Sequence, residues 1–302
     1  MSIAIRKAPA TTPTKKLVAE AGTNLLPRGV KNLLVTVLLL IVVIPTVYVA
    51  VASTMPDVDV ASGKLLPESF DLSNYVKIWT TVSLGTGIMN SILVCGMVAI
   101  TCGLLSVVTA YGLVRFAFKG KLAILRGLIA LQSIPGTLLL LPVFVLYSSA
   151  GTYLNLTIVG TRPGLFLTYL TFALPFSTWI MVTYLRGLPI EFEEAARIDG
   201  CSTFGLLWRV IIPLSWPGII VSSVFAFLHG WNDVLFASVL TTTDTQTASV
   251  VLEVFGAAQD GGAVPLYGQL MASSLICAAP VVILYLIFQR FLVGGLTAGG
   301  VK

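Results

Sequence analysis

The stretch that decides the fold runs from Glu191 to Pro213 and reads EFEEAARIDGCSTFGLLWRVIIP. It is the longest polar interruption in the last two thirds of an otherwise apolar sequence. Pro189 suits the first turn of a helix, and the glutamates after it suit the positive end of a helix dipole. Gly200 suits a helix end, Ser202 can cap a second short helix, and Pro213 must end or kink it. The stretch therefore predicts a helix, a sharp glycine turn and a second helix between two apolar segments.

The first of these helices has a face suited to close contact with another protein. Four residues share that face by their i, i+3, i+4, i+7 spacing, namely Phe192, Ala195, Ala196 and Asp199. Because two of the four are alanines, a second protein surface can approach the helix closely. We therefore predict that this helix is a docking site.

The composition indicates a membrane protein. The chain has 302 residues, of which 56% are hydrophobic and 10% charged, and its mean hydropathy is +0.95. Soluble domains carry about 25% charged residues. Six charge-free stretches exceed the roughly 20 residues that cross a bilayer as a helix, and they are 32–56, 78–114, 127–161, 163–185, 210–232 and 261–289. We therefore predict an all-α, polytopic membrane protein in a lipid bilayer, with six transmembrane helices at about 32–54, 86–113, 127–148, 163–185, 214–240 and 268–289.

The basic residues predict the orientation of these spans. All Lys and Arg residues except Lys64, Lys77 and Arg162 fall in or near the two tails, the 115–126 turn or the polar stretch. The positive-inside rule places these segments, and both termini, in the cytosol. The predicted division is a basic N-terminal tail (1–30), a first transmembrane helix (31–55), an external segment (56–84), a transmembrane core (85–290) and a C-terminal tail (291–302). Because the basic tail lies beside a first span, its charge is expected to set orientation, and no nucleic-acid partner is predicted.

The polar stretch resembles a known motif. Glu194-Ala195-Ala196, Gly200 and Val210-x-Ile212-Pro213 are similar to the EAA loop of ABC importer permeases, whose pattern is EAA, three residues, G, nine residues, I-x-L-P. The departures, Val210 for Ile and Ile212 for Leu, keep apolar residues of similar size. Other short segments resemble, in the same order, the MalG-like permeases of carbohydrate importers: Pro67-x-Ser69-Phe70 with Asn74-Tyr75, Ala110-Tyr111-Gly112, Arg115-Phe116, Gly120-Lys121, Ala173-Leu174-Pro175-Phe176, Trp231-Asn232-Asp233 and Gly295-Leu296-Thr297-Ala298-Gly299-Gly300.

The resemblance implies a set of partners. Such a permease pairs with a second, MalF-like permease subunit in the cytoplasmic membrane of a bacterium or archaeon, and an external solute-binding protein delivers the solute. Two ATPase subunits hold ATP and Mg and receive the permease helices in grooves, so that the subunits move as rigid bodies. Carried onto this sequence, the coupling loop spans 187–213, and the residues expected to couple to the ATPase are Phe192, Glu194, Ala195, Ala196, Asp199 and Gly200.

No catalytic apparatus or cofactor site is predicted in the chain itself. The sequence has no G-x-x-x-x-G-K-[ST] phosphate loop and no H-E-x-x-H, so ATP hydrolysis is expected in a separate subunit. The single histidine, His229, cannot supply a His-rich metal site. The cysteines form no C-x-x-C pair, and Cys95 and Cys102 lie about 10 Å apart along a helix, too far for a disulfide.

The polar residues late in the fifth predicted span have two interpretations. Trp231, Asn232 and Asp233 lie near its outer end, because Asp233 is roughly 28 Å along a helix that begins at Leu214. They can form a polar lining of the solute path, where ionisable residues in spans often lie. Alternatively, they are an interfacial aromatic residue beside a wetted carboxylate. The sequence leaves both open.

Three functions remain from the sequence. The first is the permease subunit of a carbohydrate ABC importer. The second is a permease of the same architecture for an amino acid or another small solute, and a defined-solute uptake assay separates the two. The third is a membrane-embedded enzyme or a self-contained carrier, which needs a reactive dyad or acidic residues at mid-membrane. The sequence shows neither, so an importer permease is the predicted function.

Overall fold

The computed structural model describes residues 27–261 and 265–297, and all regular secondary structure in those ranges is helical. The predicted all-α class is therefore confirmed for the described part of the chain. The predicted tails, 1–30 and 291–302, lie partly outside these residues. The α-helices are α1 Arg28–Ala52, α2 Asp57–Ala61, α3 Asn74–Thr81, α4 Leu84–Arg115, α5 Lys121–Gln132, α6 Gly136–Leu154, α7 Arg162–Arg186, α8 Glu191–Ile198, α9 Thr203–Leu206, α10 Ile212–Leu214, α11 Trp216–Trp231, α12 Leu235–Leu240, α13 Ala248–Ala257 and α14 Tyr267–Thr297.

The chain divides after Val49 into two compact units. The first unit contains most of α1, whose apolar side chains from Leu33 to Ile44 are exposed around the helix. A helix that is apolar all round is typical of a membrane span.

The core of the second unit is formed where α4, α7 and α11 pack together. Val98, Tyr169 and Phe227, one from each helix, share one buried apolar cluster. Glycines allow the close approach that membrane helices use to associate. A Cβ on Gly230 of α11 would lie 2.7 Å from the Tyr169 ring, and one on Gly103 of α4 would clash with the Ser223 hydroxyl.

Five described helices are long and apolar enough to cross a membrane, namely α1, α4, α6, α7 and Tyr267–Leu292 within α14. A sixth is added if Thr203–Leu214 and Trp216–Trp231, which are bent by 74° at Ser215, count as one span.

The third span was predicted at about 127–148, and this boundary is wrong. The chain forms α5 first, breaks after Gln132, and begins α6 at Gly136. Pro135 occupies the N-cap position of the new helix. Because a residue before proline is disfavoured in the α conformation, Ile134 marks a helix boundary rather than a mid-span kink.

The fifth span was predicted as one helix at about 214–240, and this is also wrong. Pro213 has no N–H to donate to the carbonyl of Arg209, and the segment Leu207–Ile211 forms a π-helix. Pro217 lies in the first turn of α11, where it cannot continue the preceding helix across the bend. At its other end α11 stops at Trp231, and α12 starts at Leu235.

Candidate functional site

The first half of the coupling loop is the short helix α8. It carries three acidic residues in its first turn, Glu191, Glu193 and Glu194, and Arg197 in its last, so its charges complement the helix dipole at both ends. Pro189 was predicted in the first turn, but it lies outside the helix, before the N-cap Ile190. The Ile190 carbonyl accepts the first helical hydrogen bonds, from the N–H groups of Glu193 and Glu194.

The glycine turn that ends α8 is confirmed. Gly200 has a φ of +83°, the left-handed conformation that glycine adopts readily. The Gly200 N–H donates to the Arg197 carbonyl at 3.0 Å, and the Cys201 N–H donates to the Ala196 carbonyl at 2.9 Å. These two bonds form a Schellman motif. The predicted cap of the next helix is also confirmed, since the Ser202 hydroxyl accepts from the Gly205 N–H at 3.2 Å.

The outer surface of α8 differs from the predicted face at one residue. Phe192, Glu194 and Ala195 are exposed, as are Asp199 and Gly200. Ala196 is instead 8% exposed and packs into an apolar cluster with Tyr111, Leu206 and Ile211. The prediction that Ala196 shares the outer face is therefore wrong, because the helix is rotated so that Glu193 and Ala196, one turn apart, both point inward.

The inward face of α8 contains an ion pair that the sequence did not reveal. The Arg115 Nε donates to the Glu193 Oε1 at 2.5 Å, and the Arg115 Nη2 donates to the Leu188 carbonyl at 3.1 Å. Glu193 is 2% exposed and Arg115 13%. Both residues are visible in the sequence as charges in segments that were predicted to be cytosolic. No local signal joins them, because 78 residues separate them along the chain.

A groove lies beside the glycine turn. Its volume is about 470 Å³. Two of its lining rings, those of Phe204 and Trp208, lie 6.0 Å apart, and both side chains are exposed. The groove is lined by Asp199, Gly200, Cys201, Ser202, Phe204, Gly205, Trp208 and Arg209. The exposed surface of the coupling loop therefore continues from α8 into α9 and the π-helix.

The loop joins the membrane core at the Ser215 bend. The Tyr184 hydroxyl, from the last turns of α7, donates to the Leu214 carbonyl at 3.1 Å. The same ring packs on Gly218, where a Cβ would lie 2.7 Å from it. Tyr184 therefore holds both sides of the bend, a role that the sequence pattern did not indicate.

The second candidate site, Trp231 to Asp233, lies at the opposite end of α11 from the bend. Trp231 is 6% exposed, and its ring stacks on Phe227 with 5.3 Å between centroids. Asn232 is exposed. Trp231 therefore belongs to the chain's own core.

The carboxylate of Asp233 is hydrogen-bonded within the chain. It accepts from the Tyr169 hydroxyl at 2.9 Å and from the backbone N–H groups of Phe236 at 3.4 Å and Ala237 at 3.0 Å. The Asp233 backbone carbonyl accepts from the Ser249 hydroxyl at 2.6 Å. This carboxylate caps the start of α12 and fastens it to α7, which is a structural role.

The fold and the apolar helices define a multi-pass membrane protein with the fold of an ABC transporter permease. The fold is similar to that of a chain in a "crystal structure of a bacterial ABC transporter involved in the import of the acidic polysaccharide alginate". The superposition covers 94% of this chain and 99% of that chain, with a TM-score of 0.72 at 20% identity. That likeness establishes the fold alone.

Residues 99–297 match the family described as binding-protein-dependent transport system inner membrane component, and the chain belongs to this family. It is 31% identical over 261 residues to the trehalose transport system permease protein SugB of Mycobacterium tuberculosis, covering 86% of this chain and 92% of that protein. It is 32% identical over 266 residues to the trehalose/maltose transport system permease protein MalG of Thermococcus litoralis, covering 87% of this chain and 92% of that protein. A third relative is the diacetylchitobiose uptake system permease protein NgcG of Streptomyces coelicolor. It is 31% identical over 261 residues, covering 86% of this chain and 84% of that protein.

Proposed function

We propose that this chain is a permease subunit of an ATP-driven sugar importer. With a second, MalF-like permease subunit it forms the path for an oligosaccharide, a disaccharide or a related polyol or sugar derivative across the cytoplasmic membrane. A separate pair of ATPase subunits supplies the energy and holds ATP and Mg, and an external solute-binding protein delivers the sugar. The family and the sugar permeases among its relatives support this proposal.

The observation that carries the coupling role is the exposure of α8 outside the membrane core. Phe192, Glu194 and Ala195 are exposed on one short helix, and the Schellman turn at Gly200 fixes where that helix ends. The EAA pattern falls on this helix. In the proposed complex, Glu194 and Asp199 accept hydrogen bonds or pair with basic groups of the ATPase, and Phe192 and Ala195 supply the apolar contact.

The proposed topology has six spans, with the bent pair around Ser215 as the fifth and both termini in the cytosol. The distribution of Lys and Arg supports this orientation. We propose a role in the solute path for only one of the three residues Trp231, Asn232 and Asp233. Exposed Asn232 is the residue of the three that is free to face a sugar, while Trp231 and Asp233 hold that end of the path in shape.

The coupling role is tested by Glu194→Lys in the reconstituted complex. We expect the variant to insert and fold, and to bind the ATPase more weakly by tenfold or more, because placing like charges together at an interface costs about 1.4 kcal/mol or more. Glu253→Lys on α13 is the matched control, since it makes the same charge change at another exposed site. Unchanged ATPase binding and unchanged uptake in Glu194→Lys contradict the coupling role.

The substrate class is tested by uptake of defined solutes. The relatives favour a sugar over an amino acid, which is the alternative substrate for this architecture. We expect the complete complex in vesicles to take up one or more di- or oligosaccharides in an ATP-dependent way. Uptake of amino acids and of no sugar would contradict the proposed substrate class and leave the importer architecture intact.

A further inference from the structure

The buried ion pair between Glu193 of α8 and Arg115 of α4 fixes the orientation of α8 as well as its contact with α4. An apolar residue at position 193 would pack beside Ala196 without the desolvation cost of two buried charges. The guanidinium of Arg115 is a rigid, planar fork, and here it holds the Glu193 carboxylate and the Leu188 carbonyl at once. The pair therefore restricts the angle at which α8 and the segment before it leave the membrane core.

A movement of α8 can reach the core along the backbone or through its inward side chains, Ala196 in the apolar cluster and Glu193 in the ion pair. Along the backbone, the route passes the Gly200 turn, the Leu207–Ile211 π-helix and the 74° bend at Ser215. Turns, π-helices and breaks between helices are sites where a chain bends. A push transmitted this way alone would be partly absorbed before it reached α11.

The side-chain route avoids these sites of bending. It passes from Glu193 directly to Arg115, the last residue of the 32-residue helix α4. The buried face of α4 packs along both α7 and α11. A displacement of α8 that is passed to Arg115 therefore acts at once on the end of a long, well-packed helix.

We infer that Arg115 is a positioning residue for energy coupling. Through the Glu193 carboxylate and the Leu188 carbonyl it holds α8 rigidly on α4, so that movement of the bound ATPase is passed to the membrane core. The inference rests on the proposed function, and it adds a pair that lies outside the EAA pattern. Adjacent acidic residues thereby have opposite roles, with Glu194 facing the ATPase and Glu193 facing the core.

The test is a double-mutant cycle on the complete, reconstituted importer, with sugar molecules transported per ATP hydrolysed as the readout. We expect Arg115→Gln to lower this ratio about tenfold, within the range by which residues along a coupling route change coupling. Glu193→Gln should lower it similarly. The double variant should be no worse than the more damaged single variant, because both substitutions remove the same link.

Two further variants separate positioning from a general structural defect. Arg115→Lys keeps the charge but loses the planar guanidinium that donates to Glu193 and Leu188 at once. We therefore expect an intermediate ratio of sugar transported to ATP hydrolysed. Arg186→Gln is the matched control, because Arg186 is an exposed arginine at the end of α7, and the ratio should stay at the wild-type value.

A wild-type ratio in an assembled Arg115→Gln complex that hydrolyses ATP would overturn the inference, and so would additive losses in the cycle. If Arg115→Gln does not assemble, the double variant, which leaves no buried charge, is measured instead, and a wild-type ratio there has the same meaning. A wild-type chain that binds no ATPase would refute the proposed function itself, which is a distinguishable result.

Discussion

The coupling loop and the Trp231–Asp233 segment are both polar interruptions of an apolar chain, but they differ in how far their side chains are exposed. On α8, the side chains of Glu194 and Ala195 are exposed and available to a second protein. At the other end of α11, Trp231 is buried and the Asp233 carboxylate already accepts three hydrogen bonds.

This difference separates a surface for partners from a structural joint. A polar group that is satisfied within its own chain gains little from a ligand, because binding exchanges one hydrogen bond for another. The exposed side chains of α8, such as Glu194 and Ala195, are by contrast available to contact a second protein. The predictions that follow test this contrast, in order of decreasing effect.

The largest contrast is expected between two adjacent alanines of the EAA motif. Ala195→Trp places a bulky ring on the exposed face, so we expect normal thermal stability and about 2 kcal/mol or more of lost ATPase binding, the size of an interface hot spot. Ala196→Trp overpacks the cluster around Tyr111 and Ile211 and should destabilise the protein by about 1–3 kcal/mol. Thermal unfolding in detergent and ATPase pull-down measure the two effects. Equal loss of stability in both variants would contradict the assigned rotation of α8.

A smaller effect is expected at the second segment. Asp233→Ala removes an acceptor from the Tyr169 hydroxyl and from the start of α12, and should destabilise the fold by about 2 kcal/mol. The KM for sugar uptake by the folded fraction should stay near the wild-type value. Asn232→Ala is the matched neighbour, because the side chain is exposed, and it should leave stability unchanged. A large rise in KM with unchanged stability in Asp233→Ala would instead make Asp233 a solute ligand.

The glycine turn should give a graded series. Gly200 has a positive φ, and apart from its chain neighbours no atom lies within 4 Å of a Cβ built there, so backbone strain decides the effect on stability. We expect Gly200→Val to cost about 1–2 kcal/mol, and Gly200→Asn clearly less, because asparagine enters the left-handed region more readily. Thermal unfolding and uptake should follow the same order. Equal effects of the two substitutions would mean that space, and not φ, constrains the position.

The sequence predicted the features that short-range rules determine. The turn at Gly200 and the cap at Ser202 follow from the chemistry of single residues and their nearest neighbours. The same rules placed the ends of α4 and α7 within two residues, because Arg115, Arg162 and Arg186 interrupt long apolar runs.

What the sequence could not predict depends on distant partners. The rotation of α8 is set by Arg115, 78 residues earlier, and the structural use of Asp233 is set by Tyr169, 64 residues earlier. The third and fifth spans were predicted wrongly for a local reason, which is the effect of a proline within each of them. Pro135 and Pro217 were counted within continuous apolar segments, although each marks the start of a new helix.

The smallest effect is expected at the bend. Tyr184→Phe removes one hydrogen bond to the Leu214 carbonyl and keeps the ring on Gly218, so it should cost about 1 kcal/mol of stability. Tyr153→Phe on α6 is the matched control, since Tyr153 is 89% exposed. A Tyr184→Phe protein as stable as this control would show that the ring alone holds the bend.

The most direct test of the account is site-specific photo-crosslinking in the assembled transporter. A crosslinker at Ala195 is predicted to capture the ATPase subunit, and one at Asn232 is predicted to capture no ATPase. Capture of the ATPase from position 232 but not from position 195 would contradict the claim that α8 is the helix through which this permease is driven.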